Sequence, residues 1–259
     1  MPDGSPFSDA DCRRYAEDGF VIVRQLLSAD EVGHLREYAH ADSELAEAGY
    51  GRKDAEGQPV RLALWNDPDA PPYGLLSRLP RIADRAEQLL GEEVYHWHTK
   101  LVMKEPHVGG AWEWHQDYGY WYHHGCLYPR LLTAWIALDR SDRSNGCLQV
   151  LKGSHRLGRI DHGAAGDQSG ADLERVEEAS RRHERIYVEA NPGDAVLFHC
   201  NLLHRSDQNR SDQPRWSLIC CYNTRSNSPY REIRHPSYRP LERLSDAALV
   251  DWFAAREGC

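Results

Sequence analysis

The segment Trp112-Glu113-Trp114-His115-Gln116-Asp117 places two metal-holding side-chain types close together. A His and an Asp two residues apart, on a strand or at its end, point the same way. His115 and Asp117 can therefore offer an imidazole nitrogen and a carboxylate oxygen to one ion. The third ligand must come from elsewhere in the chain. His204, which closes the run GDAVLFHCNLLH over 193–204, is the first candidate, and His199 within the same run is the second. Two imidazoles and one carboxylate on one face leave three coordination positions open, the arrangement of non-haem iron(II) oxygenases. Arg215 follows His204 by eleven residues, on the next predicted strand. A fixed guanidinium there suits the distal carboxylate of an oxo-diacid co-substrate, and Ser206 can share that carboxylate.

Positioning these groups requires a β framework, and the hydrophobic period supplies one. From residue 93 onward the sequence reads as short β-rich runs: 93–103, LLTAWIAL at 131–138, CLQVL at 147–151, 185–189, AVLFHC at 195–200 and SLICCY at 217–222. Gly, Pro, Asn and Asp turns separate them, including Asn145-Gly146 and Gly193-Asp194. Such a series predicts an antiparallel barrel or jelly roll. The N-terminal part reads as helix, strand, helix. Ser8 caps the first helix with Asp11 in the reciprocal position, Gly19 ends it, 20–23 is a buried strand, and Ser28 opens the second helix. Residues 41–60 read as a surface loop, 75–90 as a helix ending at Gly91, and 241–257 as a last amphipathic helix. Residues 158–184, Gly/Asp-rich and then a charged helix over 171–183, interrupt the strands as a lid-like insertion. One domain over 1–259 is expected.

Composition limits what this framework can serve. The chain has 259 residues, 41% hydrophobic and 27% charged, with a formal net charge of −9. That balance is wrong for a disordered chain and for a nucleic-acid binder, which needs a basic footprint. No apolar run reaches the roughly 20 residues of a membrane span. The start MPDGSPFSDADC has no basic and apolar leader pattern, so a cytoplasmic location is expected. Seven cysteines without a CxxC pair fit reduced thiols better than a disulfide framework. Cys220 and Cys221 should point to opposite faces of one strand. Fourteen His, eight Trp and thirteen Tyr against four Phe suggest a polar pocket or a metal site.

HQD at 115–117, AWIALD at 134–139, NGCLQVLKGSH at 145–155, GDAVLFH at 193–199 and LLHRSDQNRSDQPR at 202–215 together resemble the phytanoyl-CoA dioxygenase family. That family belongs to the iron(II)/2-oxoglutarate-dependent oxygenases, and the resemblance runs through nearly the whole chain. It implies a mainly β fold, a double-stranded β-helix (jelly roll, cupin-like) with helices packed outside. It implies iron(II) on His115, Asp117 and His204, with Arg215 and Ser206 on the distal carboxylate of 2-oxoglutarate. It puts Trp135 beside the co-substrate, and Lys100 on an inward position used for the co-substrate or a substrate carboxylate. The implied reaction consumes O2, releases succinate and CO2, and hydroxylates an unactivated carbon. Asp117 keeps the carboxylate that radical halogenases of this fold replace with a small residue, which favours hydroxylation. The competing reading is a non-oxidative cupin-like metal protein or isomerase, in which the Arg215–Ser206 clamp would have no use.

For the substrate, the sequence offers the aromatic loop after the HQD motif, with Tyr120 and Trp121 as walls, His98 on the same strand face as Lys100, and Arg225 as a carboxylate or phosphonate partner. These groups suit a small polar molecule. An acyl-CoA would want a basic track for its phosphates, which this acidic chain lacks.

Overall fold

The computed structural model describes residues 5–42, 45, 50–232 and 235–257. Thirteen described strands build it: β1 (Phe20–Val23), β2 (Tyr50–Lys53), β3 (Pro59–Trp65), β4 (Val94–Lys104), β5 (Trp112–His115), β6 (Leu131–Ala137), β7 (Leu148–Leu151), β8 (His162–Ala165), β9 (Gln168–Ala171), β10 (Arg185–Val188), β11 (Ala195–His199), β12 (His204–Ser206) and β13 (Arg215–Thr224). They form a seven-stranded sheet in the order β1-β11-β6-β13-β4-β3-β2, a four-stranded sheet in the order β10-β7-β12-β5, and the β8-β9 hairpin. All the recorded pairings between these strands are antiparallel. The fold is mainly β, the jelly roll expected of the sequence.

Period-two alternation decides which side chains see the interior. On β6, Leu132, Ala134 and Ile136 face the helices, and Trp135 and Ala137 join the core between the sheets. On β13, Trp216, Leu218, Cys220 and Tyr222 face the helices. Arg215, Ser217 and Ile219 turn inward, and Cys221 lies in the inner cluster with Trp97 and Trp121. The adjacent cysteines thus point to opposite faces, as the pattern requires. The helices α1 (Asp9–Asp18), α2 (Ala29–Ala41), α3 (Tyr73–Leu76), α4 (Pro80–Leu90) and α7 (Ala248–Glu257) lie on the large sheet. Their buried faces, with Leu35, Ile82, Leu249 and Phe253, seal its outer side. The capping boxes at Ser8/Asp11 and Ser28/Glu31 are both formed, and Gly19 and Gly91 adopt the left-handed C-cap conformation.

Three elements differ from the sequence expectation. The helix expected over 75–90 is two, because Pro80 lacks the N–H needed to continue α3 and instead starts α4 at its first turn. The expected loop 41–60 contains β2 and the start of β3, an edge hairpin whose polar, Gly-containing sequence YGRK hides its strand character. The final helix starts at Ala248 rather than 241. The 158–184 insertion is the β8-β9 hairpin followed by α6 (Leu173–Arg182), which Asp172 caps. No helix of the described residues is long and apolar enough to cross a membrane.

Candidate active site

His115 ends β5 and His204 opens β12, and the two are directly paired across the antiparallel ladder, with ring centroids 4.0 Å apart. Asp117 starts the short helix α5 (Asp117–Trp121). One ligand atom from each of His115, Asp117 and His204 lies within 4.8 Å of the others, and all three residues are buried. Among the described residues this is the one such cluster.

The hydrogen bonds around the three fit a metal. Nδ1 of His115 bonds the Glu113 carbonyl (2.7 Å) and Nδ1 of His204 bonds the Leu202 carbonyl (2.9 Å). A proton on each Nδ1 leaves Nε2 as a lone-pair donor. Burial holds both imidazoles below the usual range, so they stay neutral, the form a metal binds. Thr133 Oγ1 donates to Asp117 Oδ2 (2.6 Å), which fixes the carboxylate. His199 is excluded as a ligand. It packs beside His155 and Tyr15, its Nδ1 accepts from the Asn201 amide (3.0 Å), and burial pushes its pKa down to about 4.

Behind the triad is an inner chamber of about 60 Å³ lined by Lys100, Trp135, Phe198, Ser206, Arg215 and Ser217, among others. Arg215 is buried, and no carboxylate of the described residues pairs with it. Its guanidinium donates to the Gly146 carbonyl (2.8 Å) and to Ser217 Oγ (3.3 Å), and lies 5.9 Å from the Trp135 ring centroid. Burial lowers its pKa only to about 10, so the charge persists at neutral pH. A buried cation with no anion of its own is a receptor for one. Gly146 makes this possible: with φ +77, a Cβ there would sit 2.2 Å from the Asp207 carbonyl oxygen. Lys104, fully buried beside Arg215, donates from its side-chain Nζ to the carbonyls of Ser206 and Asp207 and so pins the segment after His204.

In front of the triad a second chamber of about 200 Å³ is lined by His98, Lys100, Trp112, Tyr120, Trp121 and His235, with Arg52 also on its wall. His98, Tyr120, Trp121 and Lys100 thus converge as the sequence led one to expect. Tyr120 sits edge-on to His115, and its hydroxyl donates to the Ser169 carbonyl (2.6 Å). Arg225 requires correction. It lies on the outer surface, paired with Glu93 (3.2 Å) over the Tyr238 ring, because the chain turns away from the barrel after Thr224.

Several residues escaped sequence reasoning. Gln116 is fully buried between the triad members. Its amide donates to the carbonyls of Gly158 (2.8 Å) and Asn201 (2.7 Å) and accepts from the Ile160 amide (2.7 Å). Its backbone amide donates to His162 Nε2 (3.0 Å). Gly119 is needed here too, since a Cβ would meet the His162 ring at 2.2 Å. The hairpin is also tied to β5 by Gln168, which accepts from the Glu113 amide and donates to the Ala111 carbonyl. Thr133 and Ser217 could have been found from alternation alone, since they share the inward face with Trp135 and Arg215.

A buried His-Asp-His triad beside a buried, unpaired arginine in a jelly roll narrows the relatives sharply. The family model described as phytanoyl-CoA dioxygenase (PhyH) matches residues 15–217. The chain belongs to the phytanoyl-CoA dioxygenase family. Within reach of that family, the L-proline trans-4-hydroxylase of Streptomyces griseoviridis is 31% identical over 252 residues, covering 91% of this chain and 93% of the relative. The ectoine dioxygenase of Sphingopyxis alaskensis is 28% identical, covering 98% and 84%. The crystal structure of EctD from S. alaskensis with 2-oxoglutarate and 5-hydroxyectoine superposes with a TM-score of 0.79 at 26% identity, over 95% of this chain and 90% of that one.

Proposed function

We propose that the protein is an iron(II)- and 2-oxoglutarate-dependent dioxygenase that hydroxylates an unactivated carbon of a small polar molecule. The observation that carries this reading is the neutral His115/His204 pair and anchored Asp117 standing beside Arg215, a buried cation with no protein anion. Family membership and the named relatives support it: a proline hydroxylase, an ectoine dioxygenase and a structure with 2-oxoglutarate bound. Those names make amino-acid-derived molecules the first substrates to try. A non-oxidative metal protein is disfavoured, because nothing in its chemistry needs the Arg215 clamp.

His115, Asp117 and His204 would hold the iron, and Arg215 with Ser206 and Ser217 would hold the distal carboxylate of 2-oxoglutarate. Bound iron(II) supplies the redox chemistry, by which O2 gives one oxygen atom to succinate and one to the substrate carbon, with CO2 released. The residues do the rest. The Nδ1 bonds aim both imidazoles, Thr133 anchors the Asp117 carboxylate, and Trp135, Leu148, Phe198 and Ile219 keep water from the inner chamber. Tyr120 and Trp121 wall the outer chamber, where the substrate's reacting carbon must come to rest. The 158–184 insertion serves as a fixed cover, bonded to β5 and α5 rather than hinged. Six free thiols among the described residues, five of them buried, suit a reducing compartment, and the cytoplasm is the location proposed.

The test uses labelled dioxygen. Protein loaded with iron(II) anaerobically, given 2-oxoglutarate and then 18O2, should release succinate carrying one labelled oxygen. Arg215→Ala should suppress that release at ordinary co-substrate concentrations. Unlabelled succinate, or none from iron-loaded wild type, would overturn the reading.

A further inference from the structure

We propose that a chain of aromatic side chains, running from Tyr238 at the surface through Tyr95 and Trp97 to Trp121, carries electrons inward to the iron site. It disposes of the oxidising equivalents left there when O2 is consumed and no substrate is bound. This rests on the functional reading above and adds a second, protective activity to the same centre.

The make-up of the inner cluster is the first observation. Its buried members are two tryptophans, two tyrosines, three cysteines and Leu131, with Tyr120 and Tyr238 packed against them. The four phenylalanines of the chain all lie elsewhere. Phe20 and Phe198 sit between the sheets, and Phe7 and Phe253 on the helix side of the large sheet. Phenylalanine would fill the inner cluster without a polar atom to satisfy. Trp97 shows the cost of not using it: the residue is fully buried, and among the described residues its indole N–H has no partner. What tryptophan and tyrosine offer in exchange is a ring that gives up an electron far more readily.

Continuity is the second observation. Trp121 lines the outer chamber together with His115 and Asp117. Its ring centroid lies 6.4 Å from that of Trp97, Trp97 lies 6.4 Å from Tyr95, and Tyr95 lies 5.7 Å from Tyr238. Each pair meets edge to face, so one ring follows the next in contact from the chamber wall outward.

The outer end is built to release a proton. A tyrosine gives up an electron easily only if its phenolic proton leaves as well. The Tyr238 hydroxyl donates to Glu93 Oε1 (2.6 Å), and Arg225 donates to Oε2 of the same carboxylate (3.2 Å). The Tyr238 bond first, and Arg225 after it, hold the Glu93 carboxyl below its usual range, so it stands ready as an anion. Tyr95 differs: it is buried, and its hydroxyl accepts from the Asn223 amide (2.8 Å), a group that cannot take a proton. Tyr95 therefore bridges the rings, and the radical settles on Tyr238.

The reaction balances. One 2-oxoglutarate, one O2, two electrons and two solvent protons give succinate, CO2 and water. Each electron leaves Trp121 for the iron site and is replaced along the chain from Tyr238, whose proton passes to Glu93 and then to solvent. The Tyr238 phenoxyl radical takes a hydrogen atom from a small-molecule reductant of the ascorbate class. Two such passes complete the reduction and leave the protein unchanged.

The test gives iron(II)-loaded protein 2-oxoglutarate and O2 without substrate, in wild type, Tyr238→Phe and Glu93→Gln. Neither position lines a chamber, and both changes preserve side-chain size. Rapid-freeze electron paramagnetic resonance should show a tyrosyl radical in wild type, narrowed by ring-deuterated tyrosine. The signal should be lost in Tyr238→Phe and fall by about threefold or more in Glu93→Gln. With ascorbate present, peptide mass mapping should find single-oxygen additions at Trp112 and Trp121 on the chamber wall. Per succinate released, these should rise by about threefold or more in Tyr238→Phe. The initial rate of succinate release should stay within about twofold of wild type in both variants. A radical of equal yield in Tyr238→Phe, no radical in wild type while succinate is released, or equal chamber oxidation in all three proteins would overturn the proposal. Absence of succinate release from wild type would instead count against the underlying enzymatic reading, so the two failures are separable.

Discussion

The side-chain amide of Gln116 donates to the backbone carbonyl of Asn201 at 2.7 Å, joining the strand end that carries His115 to the turn that leads into His204. The same amide holds Gly158 and Ile160, so three chain segments meet at one side chain. Ligands drawn from two strands keep their mutual geometry only if those strands are fixed to each other, and Gln116 does this from between two of them.

Replacing Gln116 by Ala should therefore loosen the triad as well as the fold. Two buried backbone groups and one half-buried carbonyl would lose their partners, at about 1–3 kcal/mol for each buried one before relaxation. The expected outcome is a loss of about 3 kcal/mol or more in unfolding free energy by denaturant titration. Iron affinity should also fall by about 10–100-fold, as is typical when groups supporting metal ligands are removed. Unchanged metal affinity in a folded Gln116→Ala protein would show that the triad is rigid without it.

Arg215→Ala removes the charge that the inner chamber presents to a diacid. A hydrogen bond to a charged group is worth about 1.5–3 kcal/mol, and a bidentate contact more, so KM for 2-oxoglutarate should rise by about 30-fold or beyond. Gly146→Ala should act in the same direction through a different cause. Its Cβ would strike the Asp207 carbonyl oxygen and displace the carbonyl that Arg215 bonds. Steady-state kinetics with 2-oxoglutarate as the varied component checks both variants.

Buried histidines should weaken the metal-free protein on the acid side, and two of them lie away from the metal. Burial pushes His96 and His199 down to about 4 from an ordinary value near 6.5. Between those values the unfolded chain binds more protons than the native one, so stability falls as the pH drops from about 6.5 toward 4. Each group contributes at most about 1.4 kcal/mol per pH unit in that window and nothing above it. Thermal melts of the metal-free protein across pH 4 to 8 should show this slope. His199→Gln should make it shallower by one group's share, since Gln cannot titrate there.

The sequence carried much of the site because the chemistry depends on residue types that few other positions could use. His115, Asp117, His204, Arg215, Ser206 and Trp135 lie where spacing and family resemblance indicated, since strand alternation puts every second residue on one face. What escaped was set by contacts between distant segments. Gln116 bonds residues 42 to 85 positions away, which no local pattern records. Arg225 was misplaced for the complementary reason: its position after β13 was legible, but the turn at Thr224 that sends it outward to Glu93 was not. The hairpin β2-β3 was hidden because its edge strand β2, Tyr-Gly-Arg-Lys, lacks an apolar alternation.

The central claim is that one iron(II) is held by two strand histidines and by Asp117 at the start of α5, with His204 and not His199 as the third ligand. Metal stoichiometry measured side by side in His204→Ala and His199→Ala tests it most directly. One iron(II) per chain in wild type and in His199→Ala, with binding lost in His204→Ala, is the predicted result. Iron retained in His204→Ala and lost in His199→Ala would contradict it.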